Sequence, residues 1–193
     1  MQRSHSFLSG GYGPAPPSAL SQLLMAQAPS PVPQRLRIEA DQIRDLDLST
    51  LDALRRLTVP ELLAGAGQLE LAFEWPREPE DPRELSELPE LRLWSLRADA
   101  LLPWLPLLLE RSSGQLTRHV AMLLPHGFSR SEGIRFAPES LELWITHRLF
   151  LLDAWSQAAG QPSRQGLAQM AAVLGFELDP TFWDAAGLAQ PAV

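Results

Sequence analysis

The chain has 193 residues, of which 45% are hydrophobic and 20% charged, and a formal net charge of −7. These values predict one soluble folded domain and argue against nucleic acid or an anionic membrane as a partner. Cysteine is absent, which excludes disulfides, a cysteine nucleophile and thiolate ligation of zinc or an iron–sulfur cluster. All sixteen basic residues are arginine, which also excludes Schiff-base lysine chemistry.

The N-terminal stretch is rich in Ser, Pro, Gly and Ala, and no acidic residue precedes Glu39. Such a composition buries too little apolar surface to offset the entropy of ordering, so we expect a disordered tail over residues 1–34. An organelle transit peptide and a translation start at Met25 are the alternatives. A single α+β domain over 35–186 and a flexible C-terminus over 187–193 complete the expected organisation.

Two strands and a short helix are predicted in the first part of the domain. Leu36–Ile38 alternates apolar and polar residues, and Ser49–Leu57 carries leucines at helical spacing behind capping residues. Gln68–Trp75 places its large apolar residues on one face, the pattern of an antiparallel sheet with one solvated side.

The second part of the domain is predicted to hold further strands and then helices. Leu91–Leu96 and Leu116–Leu124 show strand-like patterns, and Glu132–Phe136 leads into a short edge strand. A long helix over Pro138–Ala159 and a second over Ser163–Leu174 follow. The expected fold is α+β, with a small antiparallel sheet of about four strands packed against the long C-terminal helix and shorter helices. No apolar run is long enough to span a bilayer, so direct membrane insertion is not expected.

An acidic, proline-spaced loop follows the strand that ends at Trp75. Seven carboxylates and three arginines give the stretch from Glu74 to Arg92 a net charge of −4. Its prolines fix φ and remove backbone donors, so the loop is stiff and cannot be a helix or a central strand. Two interpretations remain open: a self-neutralising rigid loop, or a surface that presents carboxylates to a basic partner.

Tryptophan and arginine are frequent at the energetic centres of protein interfaces, and an apolar Trp-Pro segment around Trp104 lies not far along the chain from the loop. The predicted partner-binding residues are Arg77, Asp81, Arg83, Glu84, Glu87, Glu90, Arg92, Trp94 and Trp104.

The histidines suggest a competing function. His126, Glu132 and His147 could form a metal or acid–base site, which would make the chain a small metal-dependent hydrolase. However, no HxH or HExxH spacing places two ligands on one face, and the GxSxG motif of a serine nucleophile is absent.

The proline-rich loop also resembles a known family. Glu80-Asp-Pro-Arg-Glu-Leu-Ser-Glu87, followed by Pro89-Glu90, Arg92, Trp94 and Pro103-Trp-Leu-Pro-Leu107, is similar to the signature of the chlororespiratory reduction six family. The similarity continues through Met122-Leu-Leu-Pro-His126 and Glu132-Gly-Ile134, and it covers roughly Leu36 to Asp184.

The resemblance implies an assembly factor that is not an enzyme and needs no cofactor. The family occurs in the cytoplasm of cyanobacteria and in the chloroplast stroma, and it serves the photosynthetic NAD(P)H dehydrogenase-like complex. The expected partner is the I subunit of that complex, a ferredoxin-like protein with two iron–sulfur clusters, or an assembly intermediate containing it. Because this chain has no cysteine, its part would be to hold or present the subunit. A structural subunit of the mature complex is a further alternative.

Overall fold

The computed structural model describes residues 31–188, and the side chains of 31–185. The predicted N-terminal tail therefore lies outside the described residues apart from 31–34, and residues 189–193 of the predicted C-terminus do too. Val32 is buried against the core.

Helices dominate the described part of the chain, and the broad α+β class is confirmed. The strands are β1 (Arg35–Glu39), β2 (Glu70–Glu74), β3 (His126–Ser129) and β4 (Gly133–Phe136). The helices are α1 (Ala40–Arg44), α2 (Asp52–Arg55), α3 (Val59–Ala64), α4 (Pro89–Leu101), α5 (Leu105–Leu108), α6 (Gln115–Leu123), α7 (Pro138–Ala158), α8 (Arg164–Val173) and α9 (Phe182–Leu188). Two 3₁₀ segments cover Ser49–Leu51 and Leu85–Glu87. Within residues 31–188, no helix combines the length and apolar character needed to cross a bilayer.

The strands do not form the predicted single sheet. β1 pairs with β2 in parallel, with Leu36 opposite Leu71, whereas β3 and β4 form an antiparallel hairpin with His126 opposite Phe136. The prediction of one antiparallel sheet of about four strands is therefore wrong: the described residues form two two-stranded sheets. Parallel strands need a crossover connection, which α1 to α3 provide between β1 and β2.

The predicted strand over Leu91–Leu96 is wrong, because this stretch belongs to helix α4. Pro89 occupies the first turn, where its missing N–H costs nothing. Leu91, Trp94 and Ala98 are buried at helical spacing, which a six-residue window is too short to reveal.

The predicted strand over Leu116–Leu124 is also wrong, because these residues form helix α6. Its buried residues include Leu116, His119 and Val120, at spacings of a helical face. Gly114 precedes the helix with φ of 75°, a left-handed conformation that suits glycine. Over so few residues, the apolar positions fit both the alternation of a strand and the 3.6-residue period of a helix, so the sequence pattern alone could not distinguish the two.

The two long helices near the C-terminus are confirmed. α7 buries Leu141, Ile145, Leu149 and Leu152 along one stripe, at the spacing the sequence predicted. It packs against α8 instead of lying across a sheet.

Helix α4 is at the centre of the hydrophobic core. Trp94 is fully buried, meets the Phe73 ring edge-on at 5.5 Å, and donates its indole N–H to the Asp47 carbonyl at 2.8 Å. Burying a side chain of this kind contributes roughly 1.5–3 kcal/mol before entropy is subtracted. The acidic loop connects β2 directly to this central helix, so the core positions both of its ends.

Candidate partner-binding surface

The acidic segment between β2 and α4, residues 75–88, is hereafter the proline loop. It is anchored at its C-terminal end, where Ser86 and Leu88 are buried. The Ser86 hydroxyl lies 3.4 Å from Nε2 of His126 on strand β3. The 3₁₀ turn at this end packs against α4 and α6. The loop is therefore part of the folded body, as its prolines led us to expect.

Asp81 is the internal hub of the proline loop. Arg83 donates from Nε and Nη2 to the two Asp81 carboxylate oxygens, at 3.0 and 2.8 Å, and its backbone N–H donates to Oδ1 at 3.1 Å. Arg77 donates to the Asp81 carbonyl at 3.0 Å. The hydrogen bonds from Arg83 lower the pKa of Asp81 to about 2. Asp81 is therefore neutralised within the loop, as the first interpretation of the sequence held.

The other carboxylates of the proline loop are not used in this way. Glu87 of the loop, and Glu90 at the start of α4, are exposed, and Glu84 is half-buried. None of their three side chains makes a hydrogen bond or an ion pair with any described residue. The hydrogen bond and the charge of Asp81 raise the pKa of Arg83, and the charges of Glu90 and Glu87 add to this effect without a contact. The proline loop and the start of α4 thus combine a paired Asp81 with unpaired glutamates, so self-neutralisation holds for Asp81 and the presentation of carboxylates to a partner stays a prediction for the glutamates.

The remaining predicted residues lie apart from this group. Arg92 donates to the Leu124 carbonyl at 3.4 Å, and Trp94 is fully buried in the core. Trp104 is half-buried beyond the C-terminal end of α4. The 13 residues of α4, which span roughly 20 Å, stand between Trp104 and the glutamates along the chain.

Sequence reasoning missed the apolar residues that do adjoin the loop. Leu93 is 55% exposed on the outer side of α4, one turn from Glu90, and Leu96 is also exposed. Phe128, on the β3–β4 hairpin, is exposed beside Arg77 and Arg83. The signal for Leu93 and Leu96 was the helical period of α4: once Leu91 and Trp94 face the core, these two residues must face outward.

A second group of charges is buried between three helices. Asp99 on α4 accepts a hydrogen bond from Nη2 of Arg148 on α7 and lies 3.2 Å from Nε2 of His119 on α6. All three residues are less than one tenth exposed. Arg148 also donates to the Pro103 carbonyl at 2.7 Å and covers the Trp144 ring at 5.6 Å. This buried charge cluster fixes the relative placement of α4, α6 and α7.

The buried charge cluster does not form a nucleophile–base–acid chain, although Ser95 is near it. Ser95 and His119 line one small cavity of about 20 Å³, which has room for a water molecule. The Ser95 hydroxyl donates to the Met122 sulfur at 2.8 Å, not to His119. Nδ1 of His119 is buried without a hydrogen-bond partner.

The residues of the predicted metal site are used elsewhere. His126 has both ring nitrogens near oxygen atoms, with Nδ1 3.1 Å from the Leu124 carbonyl and Nε2 near Ser86. Glu132 pairs with Arg135 at 2.7 Å, and His147 is exposed on α7. Within residues 31–188 no three His, Asp or Glu side chains are grouped to hold a metal. The structure therefore overturns the predicted site of the hydrolase.

Comparison with known proteins gives one family. The family model described as Chlororespiratory reduction 6 matches residues 38–185, which include every element from β2 to α8 and the whole proline loop. No solved structure matches the chain.

Proposed function

This chain belongs to the chlororespiratory reduction 6 family, which is associated with assembly of the photosynthetic NAD(P)H dehydrogenase-like complex, and we propose that it assists incorporation of the ferredoxin-like I subunit into that complex. It does so by binding, without catalysis or a cofactor, in the cytoplasm of a cyanobacterium, the equivalent of the stroma in chloroplast relatives. The family match across most of the chain is the observation that carries the proposal.

The outward side of the proline loop is the surface we assign to the subunit. Glu87 and Glu90 offer exposed carboxylates that no side chain of the described protein pairs with, so a basic surface on the partner gains ion pairs at little desolvation cost. Asp81 with Arg77 and Arg83 holds the loop in shape, which lowers the entropy lost on binding. Leu93 and Leu96 on α4 add apolar area beside the glutamates, in the role that the sequence suggested for Trp104.

A charge-reversed variant tests this assignment. Glu87→Arg combined with Glu90→Arg replaces two exposed, unpaired carboxylates, and the matched control reverses two others, Asp45 and Glu177. Each variant replaces the native protein in a deletion strain, and the amount of I subunit in the assembled complex is measured together with its co-purification with the variant. The loop variant is expected to lose both, whereas the control retains both.

Two outcomes would decide against the proposal. If the deletion strain incorporates the I subunit normally, the proposed function is wrong. If the loop variant folds, with a thermal midpoint close to that of the control, and still supports incorporation, the assigned surface is wrong. Reversing Glu90 in the first turn of α4 costs up to about 1 kcal/mol through the helix dipole, so the stability measurement is part of the test.

A further inference from the structure

The inner side of the proline loop forms a groove of the opposite charge. This groove, of about 330 Å³, lies between the loop, helix α6 and the β3–β4 hairpin. Its charged lining consists of Arg77, Arg83 and Arg118 against the single carboxylate of Glu84, and Phe128 supplies an exposed aromatic ring. In a chain with a net charge of −7, three guanidinium groups on one concavity form a local cationic site.

Arg118 is the arginine of this groove whose side chain has no partner among the described residues. Three arginine side chains of the described chain, those of Arg56, Arg118 and Arg130, make no hydrogen bond or ion pair. Arg56 and Arg130 are exposed to water, but Arg118 is half-buried. A guanidinium that has lost part of its hydration without gaining an acceptor is stabilised when a carboxylate reaches it.

The other two arginines of the groove are held in place without being fully used. Arg77 donates to Asp81 through Nη2, and Arg83 donates to it through Nε and Nη2. Their Nη1 groups make no hydrogen bond, so each keeps a donor that is available to a ligand. Glu84 also lines the groove but forms no ion pair with Arg118. The net charge of the lining is therefore positive even when Asp81 is counted.

We propose that this groove binds an acidic segment of a partner protein in which a carboxylate side chain lies next to an aromatic or large apolar one. Arg118 receives the carboxylate, the free Nη1 donors of Arg77 and Arg83 bind a second one, and the apolar side chain packs on Phe128. The proline loop is braced by Asp81 and Ser86 before the segment arrives, so little ordering is needed. The inference goes beyond the proposed function, because it adds a second contact whose charge requirement is the reverse of the first.

Direct binding of a designed probe tests the groove. The probe is a fluorescein-labelled synthetic peptide in which four Asp or Glu residues flank one Phe, and its control replaces these four residues by Asn and Gln. Fluorescence anisotropy with the full chain at low and high salt is expected to show saturable binding of the acidic peptide. The amide peptide should bind at least about tenfold more weakly, as expected for a charge-assisted hydrogen bond. Because the whole protein is acidic, non-specific attraction of this probe is disfavoured.

Matched substitutions identify the residue. Arg118→Gln should weaken binding of the acidic peptide about tenfold or more, whereas Arg130→Gln, which removes an exposed unpaired arginine near the same hairpin, should leave it unchanged. Phe128→Ala should also weaken binding, and it removes only an exposed ring, so it serves as a second variant if Arg118→Gln unfolds the chain. No saturable binding, equal affinity for the two peptides, or equal effects of the two arginine substitutions would each overturn the proposal.

The two proposed surfaces can fail separately. Glu87→Arg with Glu90→Arg is expected to bind the acidic peptide at least as tightly as wild type, since neither residue lines the groove and both reversals add positive charge near Arg83. Suppose that deletion of the protein abolishes incorporation of the I subunit, and that the Arg118→Gln variant restores incorporation although it no longer binds the acidic peptide. The proposed function would then stand, and the groove would bind a segment that incorporation of the I subunit does not require.

Discussion

The proline loop and the buried charge cluster each contain an aspartate that pairs with an arginine, at the surface in the first and in the interior in the second. Asp81 holds Arg83 at the surface, where water competes for every hydrogen bond, whereas Asp99 holds Arg148 between three helices. At the surface the pair fixes the shape of a loop and leaves neighbouring glutamates free. In the interior the pair sets how α4 and α7 meet. The same interaction therefore serves recognition in one region and packing in the other, and the degree of burial decides which.

Asp99→Ala tests the role of the interior pair, and we expect it to have the largest effect on stability. The substitution leaves the Arg148 guanidinium buried with the Pro103 carbonyl as its hydrogen-bond acceptor. Removing one partner of a buried ion pair costs about 3–5 kcal/mol. Urea unfolding at pH 7 measures this loss, and Asp45→Ala, which truncates an exposed carboxylate, is the control. Equal losses for the two variants would contradict the burial of the cluster.

Replacing the whole buried charge cluster separates the cost of an unpaired buried charge from the cost of lost packing. The combination Asp99→Leu, His119→Leu and Arg148→Met removes every charge, so no group is left buried without its partner. We expect unfolding free energies well above that of Asp99→Ala, because apolar side chains of similar size need no hydrogen bonds in the core. If the triple variant were as unstable as the single one, the cost would come from packing and not from charge.

Asp81→Asn should have a smaller effect that depends on pH. The pKa of Asp81 in the folded protein, about 2, lies below its ordinary value of 3.8, so the ionised carboxylate stabilises the fold above about pH 4. That contribution is lost as the pH falls through the folded pKa. Urea unfolding is measured from pH 7 down to pH 2. The free energy of unfolding of wild type is expected to exceed that of the variant at neutral pH, and the two values should converge in acid. A constant difference across this range would exclude the pairing with Arg83.

The smallest effect is expected for Glu78→Gln together with Glu80→Gln. Both side chains are exposed on the proline loop and make no hydrogen bond or ion pair with the described residues. The free energy of unfolding should stay within about 0.5 kcal/mol of wild type, as is usual for surface substitutions. A larger loss in thermal unfolding would show that these carboxylates brace the loop as Asp81 does.

The sequence predicted helix α7 and strands at the positions of β1, β2 and β4, but it took the helices α4 and α6 for strands. Helix α7 repeats its apolar stripe over 21 residues, between Pro138 at its start and Gly160 just past its end, and only a helix fits that pattern. Over the nine residues of α6 an alternating and a helical pattern share most positions. The parallel pairing of β1 with β2 could not be seen either, since no local pattern separates it from an antiparallel pairing in strands of five residues.

In the proline loop, too, some properties could be predicted from the sequence and others could not. Its prolines and charges are local properties, so stiffness and net charge followed from the sequence. Which arginine pairs with Asp81 depends on side-chain positions, and the exposure of Leu93 follows only once α4 is known to be a helix. The groove at Arg118 brings together residues from the loop, α6 and the hairpin, and no spacing along the chain indicates it.

The sequence by itself determined the family, the acidic and proline-stiffened character of the loop, and the two C-terminal helices, because each depends on residues close together in the chain. Only the tertiary structure decided that Trp94 is a core residue, that Asp81 is neutralised while Glu87 and Glu90 stay free, and that the loop has a cationic inner side. Burial and the lining of the groove depend on what lies across the fold, where Ser86 meets His126 from a segment far along the chain. The partner of Asp81, Arg83, is close in sequence, but which side chains pair depends on positions that only the folded loop fixes.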